Sequence, residues 1–114
     1  MARFHLHLLS DSTGETLENI AKAALAQYDD VEPVRHFWPM VRNEAHLERV
    51  LGEIAQNPGL VLFTLVNPAM REVLEARCRS LALPAVAPMD PVNDALSGLL
   101  GQQVAGQGSG IRVS

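Results

Sequence analysis

A hydroxyl-rich run directly follows the first apolar segment of this 114-residue chain. Residues 3–9 have the pattern of a β-strand, and residues 17–28 carry apolar side chains at helical spacing. The amides in the first turn of a helix have no intrahelical partner, and the helix dipole favours negative charge there. We therefore predict a binding site for an anion such as phosphate, or for another effector, formed by Ser10, Asp11, Ser12, Thr13, Gly14 and Thr16.

Helix capping is a simpler explanation for part of this run. Ser12 and Glu15 have the spacing of a capping box, in which each side chain bonds the other residue's amide. That box does not require the remaining polar residues of the run. The run matches neither a GxGxxG loop nor a Walker A loop, and the single lysine, Lys22, does not follow the glycine. The sequence leaves an anion site and a structural cap both open, and it shows no nucleotide site of known type.

Further polar side chains follow the later predicted strands. Trp38, Asn67 and Asp90 are expected near the carboxyl ends of strands, where open α/β sheets bind ligands, so they are candidates for the rim of the site. Packing on the domain surface is the more common role of a strand-end tryptophan such as Trp38, and helix capping explains Asn67 and Asp90 adequately. Asp11 has the position of a general base or a magnesium ligand. Strand order decides which of these residues converge, and the sequence does not give it.

The histidines and the cysteine have mainly structural explanations. His5 and His7 share one face of the first strand at a spacing compatible with metal chelation, but no Cys, Asp or Glu pattern supports a metal. We expect them to pack or hydrogen-bond under a helix. His36 and His46 are isolated, and Cys78 lies on the apolar stripe of a helix as an inert core thiol. We assign no catalytic residue and no metal ligand.

Four strand–helix units follow one another along the chain. This alternation predicts an α/β, Rossmann-like, three-layer domain with about four parallel strands flanked by helices. The third strand is apolar on both faces, as central strands of parallel sheets are. The predicted strands are residues 3–9, 32–38, 60–66 and about 85–87, and the predicted helices, two of them marked by Asn43 and Asn67-Pro68, are about 12–27, 43–56, 68–81 and 90–100.

Composition limits the class of protein. We assign residues 1–101 to the α/β domain and residues 102–114 to a flexible Gly-rich linker or truncated end. Four strands are few, so either the domain is minimal or a second domain or another subunit, such as a homodimer partner, completes the sheet. A net charge of −4 argues against nucleic acid, and the longest apolar stretch is too short for a membrane span. One cysteine and the lack of a signal peptide indicate the cytoplasm.

The run His7–Thr16, with its Ser-Asp-Ser-Thr-Gly-Glu-Thr core, resembles the opening of a bacterial regulatory family. These proteins regulate phosphoenolpyruvate synthase and pyruvate phosphate dikinase. The Ala-rich helix that ends in Ala26-Gln27-Tyr28, the segment Phe63–Val66 and the segment Pro88–Pro91 also fit the N-terminal half of that family. The resemblance covers about Phe4 to Gly101.

This resemblance implies part of a bifunctional enzyme. One activity is an ADP-dependent serine/threonine-protein kinase that phosphorylates a threonine of the target, and the other is a phosphorylase that uses phosphate to remove that group as pyrophosphate. ADP or ATP and phosphate are thus implied for the whole family protein, whose nucleotide-binding P-loop lies in the C-terminal half. This chain has no such loop, so we expect recognition, effector binding or dimerisation, without phosphoryl transfer by this chain alone.

Two alternatives have no kinase connection. One is a stand-alone anion- or nucleotide-binding Rossmann-like module, which would still use the run at residues 10–16. The other is a structural interaction domain in which that run is only a helix cap. Ligand affinity separates the two, because the second predicts none.

Overall fold

The computed structural model describes residues 2–104 and confirms the α/β architecture. Four strands and four helices alternate along the chain, as the sequence pattern predicts. The elements are β1 (Ala2–Ser10), α1 (Glu15–Leu25), β2 (Val31–Trp38), α2 (Glu44–Gln56), β3 (Gly59–Thr64), α3 (Pro68–Ser80), β4 (Ala85–Val86) and α4 (Asp90–Leu100).

All four strands are parallel, and their order in the sheet is β2-β1-β3-β4. His7 of β1 lies in register between His36 of β2 and Val61 of β3. The connection from β1 runs to one edge of the sheet, and the connection from β3 runs to the other. The carboxyl ends of β1 and β3 therefore flank a topological switch point, where open α/β sheets form a crevice.

One face of the sheet packs against α1. Leu6 and Leu8 of β1 and Leu62 of β3 are buried there against two residues of the helix, Leu17 and Ala21. These helix residues are four apart and lie on the stripe that the 3.6-residue period predicts. Burial of this apolar stripe fixes the helix that follows the polar loop.

The opposite face carries the larger core, which packs against α2 and α3. Asn43 and Asn67 cap these two helices through side-chain bonds from the amides of His46 and Met70, as predicted. Cys78 lies in this core, where burial raises the pKa of its thiol. The buried members are Leu9, Val41, Leu47, Val50, Leu51, Ile54, Val61, Phe63, Leu65, Met70, Leu74 and Cys78.

The ends of β3 and α1 each come two residues before the predicted ones, for local reasons. β3 ends at Thr64 instead of residue 66, because the amide of Val66 donates to the Asp11 carboxylate and not to a strand. α1 ends at Leu25 instead of residue 27, because Gln27 and Tyr28 donate three residues back in tighter turns.

The C-terminal part of the described chain is loosely attached. No residue of α4 is buried, although Leu96, Leu99 and Leu100 are apolar. Most of the predicted linker, residues 105–114, lies outside the described residues, and the boundary at residue 101 stays a prediction. None of the helices within residues 2–104 is both long enough and apolar enough to cross a membrane.

Gly59 sets how closely β3 approaches β1, which gives a direct test of this register. A Cβ atom at Gly59 would lie 2.0 Å from the carbonyl oxygen of His5, a backbone atom that cannot move aside. We expect Gly59→Ala to lower the free energy of unfolding by about 3 kcal/mol or more. Urea unfolding of the purified chain measures this loss.

Gly52→Ala is the matched control, because a Cβ atom there meets nothing within 4 Å on the exposed side of α2. It should stabilise the chain by about 0.5–1 kcal/mol through helix propensity. Equal effects of the two substitutions would contradict the register.

Candidate functional site

Ser10 ties the two central strands together at their carboxyl ends. It is the last residue of β1, and its side chain is 1% exposed. Its Oγ accepts a hydrogen bond of 2.8 Å from the hydroxyl of Thr64 and one of 3.0 Å from the amide of Ser12. It also lies 3.1 Å from the Ser12 hydroxyl. The first residue of the predicted site is therefore part of the sheet and fixes the start of the loop.

Asp11 connects this loop to two others. Its amide donates to the carbonyl of Thr64 over 3.1 Å, and its carboxylate accepts from the amide of Val66 over 2.9 Å. Its carbonyl accepts from Nε of Arg42 over 2.9 Å. Through these contacts, Asp11 positions the loop beside the end of β3.

Gly14 is the N-cap residue of α1, which begins at Glu15. Its φ of +80° lies in the left-handed region, and a Cβ atom there would lie 2.8 Å from Cε1 of Phe37. The predicted capping box between Ser12 and Glu15 is therefore wrong. No side chain caps α1, and the amide of Ser12 bonds Ser10 instead.

The first-turn amides of α1 are available to a ligand. The first intrahelical bond runs from the amide of Glu18 to the carbonyl of Gly14 over 3.0 Å. The amides of residues 15–17 precede it and have no intrahelical acceptor. Leu17 is fully buried, so the amides of Glu15 and Thr16 are the ones that lie at the surface. The side chains of Thr13 and Thr16 are exposed beside them. This end of α1 thus combines free amides, hydroxyls and the positive end of the helix dipole.

A cleft of about 270 Å³ lies over this helix end at the switch point. The loop residues 10–16 form one wall, and residues 63–66 at the end of β3 form another. The remaining lining residues come from α3, from the connection after β4, from α4 and from the chain beyond it. They are Arg71, Ala87, Met89, Asp90, Asn93 and Val104.

The structure brings together some of the predicted rim residues and separates others. Asp90 lies in the cleft with the loop. Asn67 faces a neighbouring depression with Asp11 and Arg42, where its side chain caps α3. Trp38 is not among the residues that line the cleft, and its indole packs against the core beneath α2 and α3.

Asp90 does not have the capping role that the sequence predicts. Met89 is the N-cap residue of α4, and no side chain caps this helix. The Asp90 carboxylate instead forms a two-point ion pair with Arg71. Hydrogen bonding to the Asp90 carboxylate is the main cause of the raised pKa of the Arg71 guanidinium.

Arg71 is a cleft residue that sequence reasoning missed. It lies in the first turn of α3, and its guanidinium carbon is 5.4 Å from the centre of the Phe63 ring. The sequence shows that Arg71 lies four residues after the Asn67 cap, and therefore near the end of β3. Only the strand order shows that this end adjoins the loop after β1.

The charge of the cleft is mixed. Asp11, Glu15 and Asp90 contribute carboxylates, and Arg71 is the one basic side chain among the lining residues that the structure describes. Two of the carboxylates are engaged, one with an amide and one with Arg71. An anion in this cleft would therefore depend on the amides of α1, on the hydroxyls and on Arg71.

A separate cluster of three histidines lies on the sheet face below α2. Nδ1 of His5 is 2.8 Å from Nε2 of His36, so one of these nitrogens carries the shared proton. The ring of His36 stacks on that of His7 with centroids 4.5 Å apart. The prediction that His36 is isolated is therefore wrong, because the β1–β2 register places it directly beside His7.

Both ring nitrogens of His7 have partners that fix its protonation. Nε2 lies 2.7 Å from the carbonyl of Asn57, an acceptor, and Nδ1 lies 3.0 Å from Nε1 of Trp38, a donor. His7 is therefore neutral with its proton on Nε2. Burial is the largest cause of the lowered pKa of His7, and burial likewise lowers the pKa of His36. Within residues 2–104, no three His, Cys, Asp or Glu side chains come together as metal ligands.

Comparison with known proteins places this chain in a family. The model of the kinase/pyrophosphorylase family matches residues 6–112, which is most of the chain. The chain belongs to the kinase/pyrophosphorylase family.

Relatives within this family carry the name pyruvate, phosphate dikinase regulatory protein. The one from Rhizorhabdus wittichii is 69% identical over 103 residues, and the one from Sphingopyxis alaskensis is 66% identical over 103 residues. Each alignment covers 90% of this chain and 38% of the relative. A more distant relative from Caulobacter vibrioides is 46% identical over 102 residues, which are 90% of this chain and 32% of that protein. The chain thus spans well under half the length of these relatives.

The histidine cluster predicts that this kinase/pyrophosphorylase family member loses stability in mild acid. Because the pKa of His7 and that of His36 are lowered by folding, the neutral rings stabilise the native state fully above pH 6.5. This contribution is lost as the pH falls below that value. We expect the urea midpoint, followed by Trp38 fluorescence, to fall between about pH 7.5 and pH 5.5.

His7→Gln should remove most of this pH dependence, whereas His46→Gln, on α2 and outside the cluster, should keep it. If His7→Gln folds too poorly to measure, His36→Gln provides the same comparison. An unchanged pH profile in both cluster variants would contradict this interpretation of the cluster.

Gly14 predicts a cost for any side chain at the start of α1. Gly14→Ala should destabilise the chain by about 2 kcal/mol, because alanine is strained at positive φ and its Cβ meets Phe37. Phe37→Ala in the same background should recover the steric part of the loss only. Gly98→Ala, where a Cβ atom meets nothing within 4 Å, is the control. A similar loss of stability at both glycines would contradict the strained backbone and the Phe37 contact assigned to Gly14.

Proposed function

We propose that this chain is the N-terminal part of a regulator of pyruvate phosphate dikinase or phosphoenolpyruvate synthase. The regulator would act as a bifunctional serine/threonine kinase and phosphorylase on a threonine of the target. Within it, this domain would bind a phosphate-type anion or effector at residues 10–16. Membership of the family supports the regulatory role, because its relatives carry the name of dikinase regulatory proteins.

One observation carries the binding part of the proposal. The loop at residues 10–16 and the end of β3 meet at the switch point of the sheet, over the free amides of α1. Switch-point crevices and helix N-termini are each favourable places for anionic groups, and here they coincide. A structural cap alone would not explain this, because no side chain of the loop caps α1.

The cleft has room for a small anion. Its volume of about 270 Å³ is below the usual range for drug-sized ligands, which begins at about 300 Å³. Phosphate, pyrophosphate or pyruvate would fit within this volume. The hydroxyls of Ser12 and Thr13 and the amides of Glu15 and Thr16 would hold the anion, and Asp11 would keep the loop in place.

We assign nucleotide binding to the part of the longer protein beyond this chain, and regulation to its contacts with protein partners. ADP or ATP would bind in the part of the relatives that lies beyond this chain, since this chain has no Walker A loop. The target dikinase or synthase, and a second copy in a homodimer, would be the protein partners. Buried Cys78, kept as a free thiol, is consistent with a reducing cytoplasm.

The binding role predicts that Ser12→Ala combined with Thr13→Ala weakens anion binding while the fold survives. We would titrate the chain with phosphate, pyrophosphate, ADP and pyruvate and follow its melting temperature, which rises when a ligand binds only the folded state. The expected result is a saturable rise with a small anion that falls sharply in the double variant, because the two hydroxyls are lost.

Ser80→Ala, an exposed serine at the end of α3, is the matched control and should bind as the unmodified chain does. Saturable binding that the double variant retains in full would contradict the role of the loop. No saturable shift with any of the four compounds would favour a purely structural interaction domain.

A further inference from the structure

Arg71 is held in the cleft by contacts that do not involve α4. Its guanidinium lies over the ring of Phe63, a buried residue of β3, at 5.4 Å from the centroid. Its Nε is 3.8 Å from Oε1 of Glu75, one turn further along α3. Met70 and Leu74 anchor this helix in the core. The position of the guanidinium is therefore set by the rigid part of the fold.

Asp90 presents both carboxylate oxygens to this guanidinium. Nη1 of Arg71 donates to Oδ1 of Asp90 over 3.0 Å, and Nη2 donates to Oδ2. This planar, two-point contact is the one that arginine also makes with phosphate. The Asp90 side chain is 38% exposed and that of Arg71 is 20% exposed, so the pair is partly buried and solvent reaches it mainly on the Asp90 side. An anion with two phosphoryl oxygens offers arginine the same two-point contact, so it can replace the carboxylate without leaving Arg71 unpaired.

The helix that carries Asp90 can move with little loss of packing. No residue of α4 is buried, and the side-chain hydrogen bonds that join it to other elements within residues 2–104 are those of Asp90 with Arg71. Asp90 lies in the first turn of α4, where the helix dipole stabilises its charge without Arg71.

We propose that Arg71 is the cation of the anion site and that Asp90 occupies its guanidinium as an internal substitute until an anion displaces it. This inference rests on the proposed anion-binding role of residues 10–16 and names the residue that would complete the site. The displaced Asp90 would release the start of α4. Anion binding and docking of α4 would then be antagonistic, and by linkage each would weaken the other by the same factor.

Isothermal titration of the chain with pyrophosphate tests the proposal. Asp90→Asn removes the competing carboxylate and should tighten binding by about threefold or more, because more of the protein is competent to bind. Arg71→Gln should weaken binding by about tenfold or more through loss of charge-assisted hydrogen bonds. Phosphate in place of pyrophosphate shows whether one phosphoryl group is sufficient.

Matched controls separate displacement from a general effect of charge. Asp94→Asn removes the same charge from α4 one turn later. The Asp94 carboxylate acts on Arg71 through space but forms no hydrogen bond with it, so this substitution should change the affinity by less than about twofold. Arg79→Gln removes an exposed arginine at the far end of α3 and should have no effect. Hydrogen exchange adds a second readout, since α4 amides should exchange faster at saturating pyrophosphate in the unmodified chain but not in Arg71→Gln.

The outcomes distinguish this inference from the proposed function. Pyrophosphate binding that the Ser12/Thr13 double variant loses, but that Arg71→Gln and Asp90→Asn leave unchanged, overturns the inference and leaves the loop as the site. Equal tightening by Asp90→Asn and Asp94→Asn also overturns it. Binding that depends on Arg71 and Asp90 but not on the loop hydroxyls supports the inference and overturns the binding role proposed for the hydroxyls of Ser12 and Thr13. Absence of binding in both the unmodified chain and Asp90→Asn overturns both.

Discussion

The hydrogen bonds between Ser10, Asp11 and the end of β3 are the contacts on which the cleft depends. The Ser10 hydroxyl accepts from Thr64, and the Asp11 amide and carboxylate bond Thr64 and Val66. At a switch point the connections from β1 and β3 diverge, so nothing in the topology alone keeps the two loops together. These polar contacts supply that constraint. They hold the loop in the position from which the chain turns at Gly14 and enters α1 with its first amides free.

The polar groups of the domain divide into two sets with different environments. The histidine cluster lies on the sheet face below α2, where every nitrogen of His7 has a partner and burial favours neutral rings. The cleft lies at the carboxyl edge, where hydroxyls and amides face solvent and one arginine faces several carboxylates. The first set contributes to stability and its dependence on pH. The second has the unsatisfied donors that a ligand requires.

Much of the fold follows from the sequence because its signals are local. Apolar patterns together with cap and turn signals predict every strand and helix, and the asparagines at residues 43 and 67 mark two helix starts correctly. The candidate loop was likewise visible as a polar run between a strand and a helix. The Ser12–Glu15 capping box failed because a positive φ at Gly14 shifted the start of α1, and periodicity cannot detect a backbone angle. Arg71, and the pairing of His36 with His7, depend on strand order and register, which are properties of the whole sheet.

The most direct test of the central claim is an amide-resolved NMR titration of the chain with pyrophosphate. If the switch-point loop binds the anion, the largest saturable shifts should fall on the amides of residues 12–17 and on that of Val66, with smaller changes in α3 and α4. The amides at the far, amino-terminal edge of the sheet should not move. Shifts that grow linearly with concentration, or that spread over exposed arginines without a maximum at the loop, would contradict the account.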